Sequence, residues 1–299
     1  MPTFNPPGVG PRPLHFPIPG RWLEYRTNDP IPPSADPDDG LNLAGFTGAD
    51  MRELQRRNII RPRWLSFYNS SGIGHSDLQV LRGFSDLRGI DQNFCGMVGD
   101  AGIREVSALE NLEYLNLQAC RPVSDVGCAY LANLTKLRWL EISWVYRITN
   151  EGLGSLARLP QLEELFSDDQ TDVGDAGFEC LGSVLRLRNL QVWMVRATDV
   201  GLRHLGDNAR ELRQLDFFRL LAATDRGLLD LLRCRNLADL SFGGCPLITR
   251  AGVRALAEFK NLRRLMIYHA ESVTREGVEW LHSRLSDCDQ RVLEKGVSA

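Results

Sequence analysis

Hydrophobic residues in this chain recur at a fixed interval of 25 positions. Eight leucines mark the interval: Leu87, Leu112, Leu137, Leu162, Leu187, Leu212, Leu237 and Leu262. Each copy begins with the pattern L-x-x-L-x-L or a close variant, in which the last two apolar residues alternate with other residues, as on a strand buried on one face. A fixed period of this length predicts a solenoid, in which each unit buries its apolar face against its neighbours.

The second half of each unit has the pattern of a helix, because apolar residues there follow helical spacing. Ser, Thr or Gly precedes them, and these residue types satisfy or tolerate a helix N-terminus. The predicted N-caps are Gly74, Gly99, Ser124, Thr149, Gly174, Thr198, Thr224, Thr249 and Thr274. Aspartate directly follows several of these caps, where the positive end of the helix dipole favours a carboxylate. One unit is therefore predicted to be a strand, a turn, a helix and a return.

Two stretches carry a family resemblance: "LEYLNLQACRPVSDVGCAYLANL" from Leu112 and "LADLSFGGCPLITRAGVRALAEF" from Leu237. They resemble the cysteine-containing class of leucine-rich repeats, which is known from substrate-receptor subunits of ubiquitin ligases and from bacterial proteins. The resemblance implies an α/β solenoid of about nine units that is curved and right-handed. It also implies a parallel β-sheet on the concave face, helices on the convex face and a partner bound in the concavity. The sequence pattern of an F-box, which would precede the repeats of a ligase receptor, is not found.

The resemblance and the composition divide the chain into four segments. Residues 1–40 contain eleven of the fifteen prolines and no periodic segment, so they are predicted to be an extended N-terminal segment. Residues 41–61 are predicted to be a helical cap over the first unit, with Thr47 as N-cap and a helix to about Arg57. The solenoid is assigned to residues 62–286, and residues 287–299 are predicted to be a C-terminal tail.

The strand positions that point away from the core are free to vary between copies. They are the second, fourth, sixth and seventh residues after each start, and in the middle units they contain large aromatic side chains interleaved with carboxylates. An apolar patch rimmed by charge is typical of a binding surface. The predicted partner-binding residues are Tyr114, Trp139, Glu141, Trp144, Phe166, Asp168, Asp169, Trp193, Asp216, Phe218 and Arg219. Trp139, Trp144, Trp193 and Phe218 would be the apolar anchors.

Several interpretations of this face remain open at the level of sequence. The first is non-catalytic recognition of a protein or peptide. Because the face carries carboxylates, a basic partner would be favoured. The second is a cationic small molecule held in an aromatic box. The third is an acid–base enzyme that uses Glu141, Asp168, Asp169 and Asp216. The structural alternative is that the aromatic rings only pack against one another as cross-strand neighbours. No catalytic residue, metal ligand or cofactor is assigned.

Three units depart from the repeat. Gln92 and Ser167 occupy a strand position that other copies fill with aliphatic or aromatic residues, and Ser167 lies beside the aromatic cluster. Such departures occur at functional sites but also through irregular drift. The unit that starts at Leu187 has a turn shortened by one residue, which is also consistent with a tolerated loop deletion.

Composition narrows the classes of partner and location. The net charge of -3 gives no general attraction to phosphate, so neither nucleic acid nor an anionic membrane is expected as a partner. No apolar run is long enough for a signal peptide or a membrane span. The seven cysteines lack close CxxC pairs, which disfavours a disulfide framework or a zinc site. Reduced thiols and a cytoplasmic location are therefore expected.

Overall fold

The computed structural model describes residues 22–24, 40–43, 46–57, 62–68, 70, 72–93, 95–269, 275–285 and 288–293. Most of the predicted N-terminal segment 1–40 lies outside the described residues, as do Thr274 and part of the predicted tail. Within the described residues, strands and helices alternate along the chain as the repeat predicts.

One parallel sheet runs through all of the described part. Its strands are β1 (Trp22–Glu24), β2 (Gly40–Asn42), β3 (Trp64–Ser66), β4 (Gly89–Asp91), β5 (Tyr114–Asn116), β6 (Trp139–Glu141), β7 (Glu164–Asp168), β8 (Asn189–Trp193), β9 (Gln214–Phe218), β10 (Asp239–Gly243), β11 (Arg264–Tyr268) and β12 (Asp289–Leu293). Each strand pairs with the next in the chain, so spatial order follows sequence order. At about 4.8 Å per strand, the sheet is on the order of 50 Å long.

The helices lie between the strands. They are α1 (Gly48–Arg57), α2 (Asp100–Val106), α3 (Asp125–Leu131), α4 (Asn150–Leu156), α5 (Asp175–Gly182), α6 (Asp199–Asn208), α7 (Asp225–Asp230), α8 (Arg250–Ala255) and α9 (Arg275–Arg284). Three short 3₁₀ helices, Asp77–Gly83, Leu231–Arg233 and Leu256–Glu258, complete the described helical segments. The sheet forms the concave face of the solenoid and the helices form the convex face.

The sheet extends beyond the range predicted for the solenoid. Strands β1 and β2 precede residue 62, and β12 follows residue 286. Helix α1, at the position predicted for a helical cap, follows β2 as a repeat helix follows its strand, and Arg52 of α1 forms a 2.7 Å ion pair with Asp77 of the next unit. The first and last strands therefore belong to the same continuous sheet as the regular repeats.

The leucines that define the period form the core. In the unit that starts at Leu112, for example, Leu112, Leu115 and Leu117 are fully buried. Equivalent residues of the other units join them in one hydrophobic cluster that continues from unit to unit. Burial of this kind contributes about 1.5–3 kcal/mol for each leucine relative to an exposed side chain, which explains why the period is so strict.

The predicted N-caps are present at most helices. Ser124, Thr149, Thr198, Thr224 and Thr249 each accept a hydrogen bond from the backbone N–H two residues later, and Gly99 and Gly174 precede α2 and α5. The prediction at Gly74 is wrong. Its N–H donates to the Asp77 carboxylate at 3.0 Å, and the segment that follows is a 3₁₀ helix that starts after Ser76.

The aspartates after the caps connect neighbouring units. Asp175 shows the arrangement: Oδ1 accepts from the Thr198 N–H at 2.7 Å and from the Gly201 N–H at 2.9 Å, while Oδ2 accepts from the Thr198 hydroxyl at 2.8 Å. Asp100, Asp125, Asp199 and Asp225 bond the cap of the following unit in the same way. These carboxylates therefore bridge units, in addition to the favourable helix-dipole position that the sequence predicted.

Several turns contain a side-chain donor in the column eight residues after the start of the unit, whereas others have valine or leucine there. Cys95 donates its thiol hydrogen to the Phe67 carbonyl, and Cys120 donates to the Gln92 carbonyl, both at 3.1 Å. Gln170 Nε2 makes the equivalent bond to the Ile142 carbonyl at 2.8 Å. Where this column holds Ser70, Cys95, Cys120 or Gln170, the side chain therefore does more than fill space, because it satisfies a buried carbonyl of the preceding unit.

The residue just before this column adopts a left-handed backbone conformation. Positive φ angles occur at Ala119, Trp144, Asp169, Met194, Arg219, Gly244 and His269. The N–H of Trp144 donates to the Asp168 carbonyl of the next unit at 2.9 Å, and the N–H of Arg219 donates to the Gly243 carbonyl at 2.9 Å. A non-glycine residue in this conformation costs on the order of 1 kcal/mol, and these bonds between units offset the cost.

Candidate recognition surface on the concave face

The structure places the eleven predicted partner-binding residues along one face. We call these eleven residues the concave wall. Strand register aligns Tyr114 with Trp139, Glu141 with Phe166, and Asp168 with Trp193 and Phe218 in turn. Trp144, Asp169 and Arg219 lie in the left-handed turns after β6, β7 and β9. The wall therefore forms by stacking in register, as the 25-residue period requires.

The exposure expected for the wall aromatics is wrong. Trp139, Phe166, Trp193 and Phe218 are only 3%, 8%, 4% and 5% exposed. They form two clusters separate from the main core, one around Trp139 and Phe166 and the other around Trp193 and Phe218. The cross-strand packing alternative is therefore correct for these rings. Tyr114 and Trp144 are half-buried and Arg219 is exposed, so part of the wall remains accessible.

Glycines allow rings to meet across an intervening strand. Gly89 lies between Trp64 and Tyr114, and a Cβ atom at Gly89 would come within 2.2 Å of the Trp64 ring. Trp64 therefore covers the glycine, and its ring centroid lies 5.3 Å from that of Tyr114. Trp139 and Phe166, on directly paired strands, have the same centroid separation of 5.3 Å. The first aromatic cluster thus spans β3 to β7.

The second cluster uses the same arrangement at Gly243. This residue pairs with Phe218 on one side and with Tyr268 on the other, and a Cβ atom here would come within 2.4 Å of the Tyr268 ring. The Phe218 and Tyr268 rings have centroids 5.4 Å apart, and the Trp193 ring lies 5.7 Å from Phe218. Three rings from β8, β9 and β11 therefore form one packed unit.

Asp216 connects the rings of the second cluster by hydrogen bonds. Its Oδ1 atom accepts from Trp193 Nε1 at 3.2 Å and from the Tyr268 hydroxyl at 2.5 Å. Burial, together with the negative charge of Asp216, raises the pKa of Tyr268 well above its usual range. Asp216 thus holds a buried tryptophan and a buried tyrosine in fixed positions.

Two further wall carboxylates, Asp168 and Glu141, accept hydrogen bonds from residues next to the concave wall. Asp168 is fully buried and accepts from Gln191 Nε2, at 3.1 Å to Oδ2. Glu141 is 6% exposed and accepts from the Ser143 N–H at 2.8 Å. These bonds orient the two carboxyl groups along the sheet.

Asp169 is the predicted carboxylate with the most accessible surroundings. It is half-buried, and burial raises its pKa, while a hydrogen bond from Tyr146 and the charge of Arg219 act in the opposite direction. Tyr146 is 43% exposed and lies beside the Arg121 guanidinium, which is 5.7 Å from the ring centroid. The accessible part of the wall is therefore the edge formed by the turns.

The departure at Ser167 has a structural explanation. Its hydroxyl lies in the core and donates to Gln170 Oε1 at 2.5 Å, while Gln170 uses its amide nitrogen to satisfy the Ile142 carbonyl. Ser167 therefore supports a buried glutamine and does not face the wall. At Gln92, by contrast, both side-chain polar atoms are buried and have no hydrogen-bond partner among the described residues.

Sequence reasoning missed Gln191 and Tyr268, which donate hydrogen bonds to the wall carboxylates Asp168 and Asp216. The sequence could have indicated Gln191, because this amide side chain both donates and accepts hydrogen bonds. It stands in the same column as Glu141, Phe166 and Asp216. Tyr268 stands six residues after Leu262, in a column that points away from the core, but it lies two strands from Asp216. Its contact depends on the missing side chain at Gly243, which a one-strand view does not show.

The described residues contain no group of His, Cys, Asp or Glu side chains arranged to hold a metal ion. Among the described helices, none has the length and apolar character needed to cross a membrane. The seven cysteines all lie in the described part, and none forms a disulfide.

A parallel sheet built from a repeated strand–turn–helix unit, with a ladder of bonds between turns, defines a leucine-rich repeat solenoid. No protein-family model and no curated protein match the sequence. Solved structures do match. Internalin C2 from Listeria monocytogenes is 20% identical with a TM-score of 0.53, and the match covers 74% of this chain and 84% of that one.

Two further structures support the same assignment. The internalin InlF of Listeria monocytogenes is 17% identical with a TM-score of 0.55, covering 86% of this chain and 74% of its own. A complex of TLR13 with the single-stranded RNA ssRNA13 is 14% identical with a TM-score of 0.54, covering 79% of this chain and 32% of that one. At these identities the likeness establishes the leucine-rich repeat fold. Membership of the cysteine-containing class stays a prediction.

Proposed function

We propose that this protein is a non-catalytic recognition module whose concave wall binds another polypeptide. The observation that carries the proposal is the pair of aromatic clusters. They are separate from the main core and lie on the concave face of the sheet. Their rings are fixed by ring contacts and by Asp216 before any partner arrives. Binding to such a surface avoids the entropy cost of ordering flexible side chains.

The partner would contact the accessible edge of the wall. Trp144 is half-buried and lies next to Asp169 in register, and Arg219 is exposed two units further on. The buried rings of Trp139 and Trp193 would act as a rigid platform beneath this edge. Asp168 and Asp216 already accept hydrogen bonds from Gln191 and Trp193. Attraction to a basic partner would therefore depend mainly on Asp169, with Arg219 adding the opposite charge.

The two other functions predicted from the sequence have less support. An aromatic box needs space between its rings, whereas the Trp139–Phe166 and Trp193–Phe218 centroids are 5.3 and 5.7 Å apart, which is direct contact. Acid–base chemistry needs a carboxyl group that can exchange a proton with a substrate. Asp168 is fully buried, and Asp216 is already bonded to two donors.

We place this activity in the cytoplasm, because the free thiols of a largely buried cysteine set suit a reducing compartment. A polypeptide is proposed in preference to nucleic acid because the net charge is -3 and the wall carries four carboxylates. The TLR13 complex shows that a protein with this fold can bind single-stranded RNA. Any binding test must therefore examine both classes of partner.

The experiment is affinity capture from native extract with wild-type protein, Trp144→Asn and the control Leu185→Asn. Asparagine is tolerated in the left-handed conformation of residue 144, so the fold should be preserved. Leu185 is 85% exposed and lies outside the wall, between α5 and β8. We expect one polypeptide whose recovery falls about tenfold with Trp144→Asn and is unchanged with Leu185→Asn.

Equal recovery of the same polypeptide by all three proteins would refute the wall as its binding site. Recovery of RNA alone would contradict the proposed class of partner. For the enzymatic alternative, a product formed from the extract by wild-type protein and lost with Asp168→Asn would refute the non-catalytic proposal.

A further inference from the structure

The shortened turn in the unit that starts at Leu187 changes the edge of the sheet. In this unit the N-cap Thr198 stands 11 residues after the start, whereas Gly174 and Thr224 stand 12 residues after theirs. In the flanking turns, Val173 N–H donates to the Gln170 carbonyl and Ala223 N–H donates to the Leu220 carbonyl. In the short turn, the Arg196 N–H instead donates to the Val173 carbonyl of the preceding unit at 2.7 Å.

A cavity opens where this turn is short. Its volume is about 370 Å³, and its lining comes from three consecutive turns, with residues 169 and 171 on one side, 194–196 in the middle and 219, 221 and 222 on the other. A turn with one residue fewer leaves a recess between two longer neighbours. The volume is within the range of sites for small organic ligands. We call this recess the rim cavity.

The rim cavity combines an apolar surface with two arginines. Met194, Val195 and Leu221 supply the apolar part, and Leu221 is 57% exposed. Arg196 and Arg219 are exposed, and both line the cavity. Guanidinium groups bind carboxylates through two parallel hydrogen bonds, so two exposed ones at an apolar recess match an anionic group on an apolar body.

Asp169 on the opposite side limits the charge that the rim cavity can accept. Its carboxylate is bonded to Tyr146 and is attracted by Arg219, so the lining carries two positive charges and one negative charge. A single carboxylate on the ligand would neutralise the remaining positive charge. A cation would meet two arginines, and a ligand with several negative charges would be repelled by Asp169.

We propose that the rim cavity binds a monocarboxylate with a compact aliphatic or aromatic body, held by Arg196 and Arg219 over Met194, Val195 and Leu221. The rim cavity shares Asp169 and Arg219 with the accessible edge of the concave wall, whereas Arg196, Val195 and Leu221 lie outside the wall. Variants of Arg196 and Leu221 therefore test the rim cavity separately from the concave-wall proposal. Either a free organic acid or the terminal carboxylate of a peptide could present this chemistry.

The test is an NMR titration of the full chain with 3-phenylpropionate, compared with the neutral 3-phenylpropionamide. We expect saturable binding of the acid and binding at least about tenfold weaker for the amide, because the charge-assisted bonds are lost. Arg196→Gln and Arg219→Gln should each lower the affinity for 3-phenylpropionate about tenfold. The matched control Arg213→Gln, which replaces an exposed arginine outside the cavity, should leave binding unchanged.

The role of the short turn has its own variants. Insertion of one glycine after Arg196 restores the usual turn length and should abolish binding. Leu221→Glu keeps the short turn and adds a carboxylate at an exposed position, so it should lower the affinity for 3-phenylpropionate at least about tenfold. This variant tests the site even if the glycine insertion impairs folding.

Two peptides distinguish the source of the carboxylate: acetyl-Gly-Gly-Phe with a free C-terminus and the same peptide as its amide. Tighter binding of the free peptide than of 3-phenylpropionate would identify a peptide terminus as the ligand, and weaker binding would identify a free acid. The proposal is overturned if 3-phenylpropionate shows no saturable binding in the millimolar range. It is also overturned if the acid and the amide bind equally, or if Arg213→Gln weakens binding as much as the two cavity variants.

Discussion

A buried polar side chain stabilises a fold only when its hydrogen bonds are satisfied, and Gln92 and Ser167 illustrate the two cases. Ser167 donates to Gln170, whose amide nitrogen in turn satisfies a main-chain carbonyl. The Gln92 amide is fully buried without a hydrogen-bond partner among the described residues. The same strand position therefore has opposite energetic consequences in two units.

Substitution of these two residues by leucine should change stability in opposite directions. Gln92→Leu removes two unsatisfied polar atoms and should raise the free energy of unfolding by about 1–3 kcal/mol. Ser167→Leu leaves Gln170 Oε1 without its donor and should lower the free energy of unfolding by about 1–3 kcal/mol. Urea denaturation of both variants measures the difference. A change of the same sign in both would contradict this account.

Sequence alone identified both residues as departures but could not separate their roles. Ser167 finds its partner three residues later, in a turn whose geometry depends on bonds to the next unit. The sequence alone also could not show how far the aromatic side chains of the concave wall are exposed. Alternation along a strand shows which face Trp139 occupies, but not how closely Phe166 approaches it from the neighbouring strand.

Individual repeat helices approach their neighbours through glycine at the third helical position. In α4, a Cβ atom at Gly152 would lie 2.4 Å from Asp125 Oδ1, the carboxylate that binds the cap of this helix. Comparable contacts with an aspartate of the preceding unit occur at Gly127, Gly201, Gly227 and Gly252, and Gly177 meets Asn150 Oδ1 in the same way. The aspartate after the cap and this glycine are thus two halves of one contact between units.

The two glycines of α4 provide a matched test of this contact. Gly152→Ala forces a shift against Asp125 and Ile148 and should lower the free energy of unfolding by about 1–3 kcal/mol. At Gly154 the nearest atom to an added Cβ is Cys180 Sγ at 3.5 Å, an ordinary contact. Gly154→Ala should therefore stabilise the helix by about 0.4–1 kcal/mol. Thermal and urea unfolding would disprove the contact if Gly152→Ala were as stable as Gly154→Ala.

At the scale of elements, the sequence predicted the strands, most caps and the period correctly. It assigned the aspartates to the helix dipole, because a single helix shows only its own N-terminus. Their bonds to the following cap arise when two units stack 25 or so residues apart. The contacts over Gly89 and Gly243 are likewise properties of three strands together.

Over the whole molecule, acidic groups buried in their neutral form make stability depend on alkaline pH. Burial raises the pKa of Cys245 to about 11 and that of Cys95 to about 12. Burial also raises the pKa of Tyr268, with Asp216 contributing in the same direction. In the unfolded chain these groups lose protons near their ordinary pKa values, which are about 8.5 for cysteine and about 10 for tyrosine.

The contribution of these groups to the free energy of unfolding should therefore be constant below about pH 8. It should fall as the pH rises from about 9 to about 11. The unfolded state releases protons that the folded state retains, so the slope is negative. Tyr268→Phe should make the decline above about pH 10 shallower, by up to about 1.4 kcal/mol per pH unit. Urea denaturation between pH 7 and 11 measures this slope, and a flat profile would contradict the burial of these groups as neutral acids.

The extent of the solenoid could be predicted only where the period is regular. From β3 to β12, paired strand residues are always 25 positions apart, and the short turn of the unit that starts at Leu187 leaves this register unchanged. At the N-terminal end the interval changes, since Trp22 pairs with Gly40 and Gly40 pairs with Trp64. These strands lack the L-x-x-L-x-L pattern, so only the structure joins them to the sheet.

The most direct test of the central claim is site-specific photocrosslinking in native extract. A photoreactive amino acid replaces Trp144 on the concave wall in one protein and Leu185 outside it in another. The account predicts that one polypeptide crosslinks at position 144 and that wild-type protein in excess competes it away, while position 185 yields no such product. Crosslinking of that polypeptide at 185 and not at 144 would show that recognition takes place elsewhere on the solenoid.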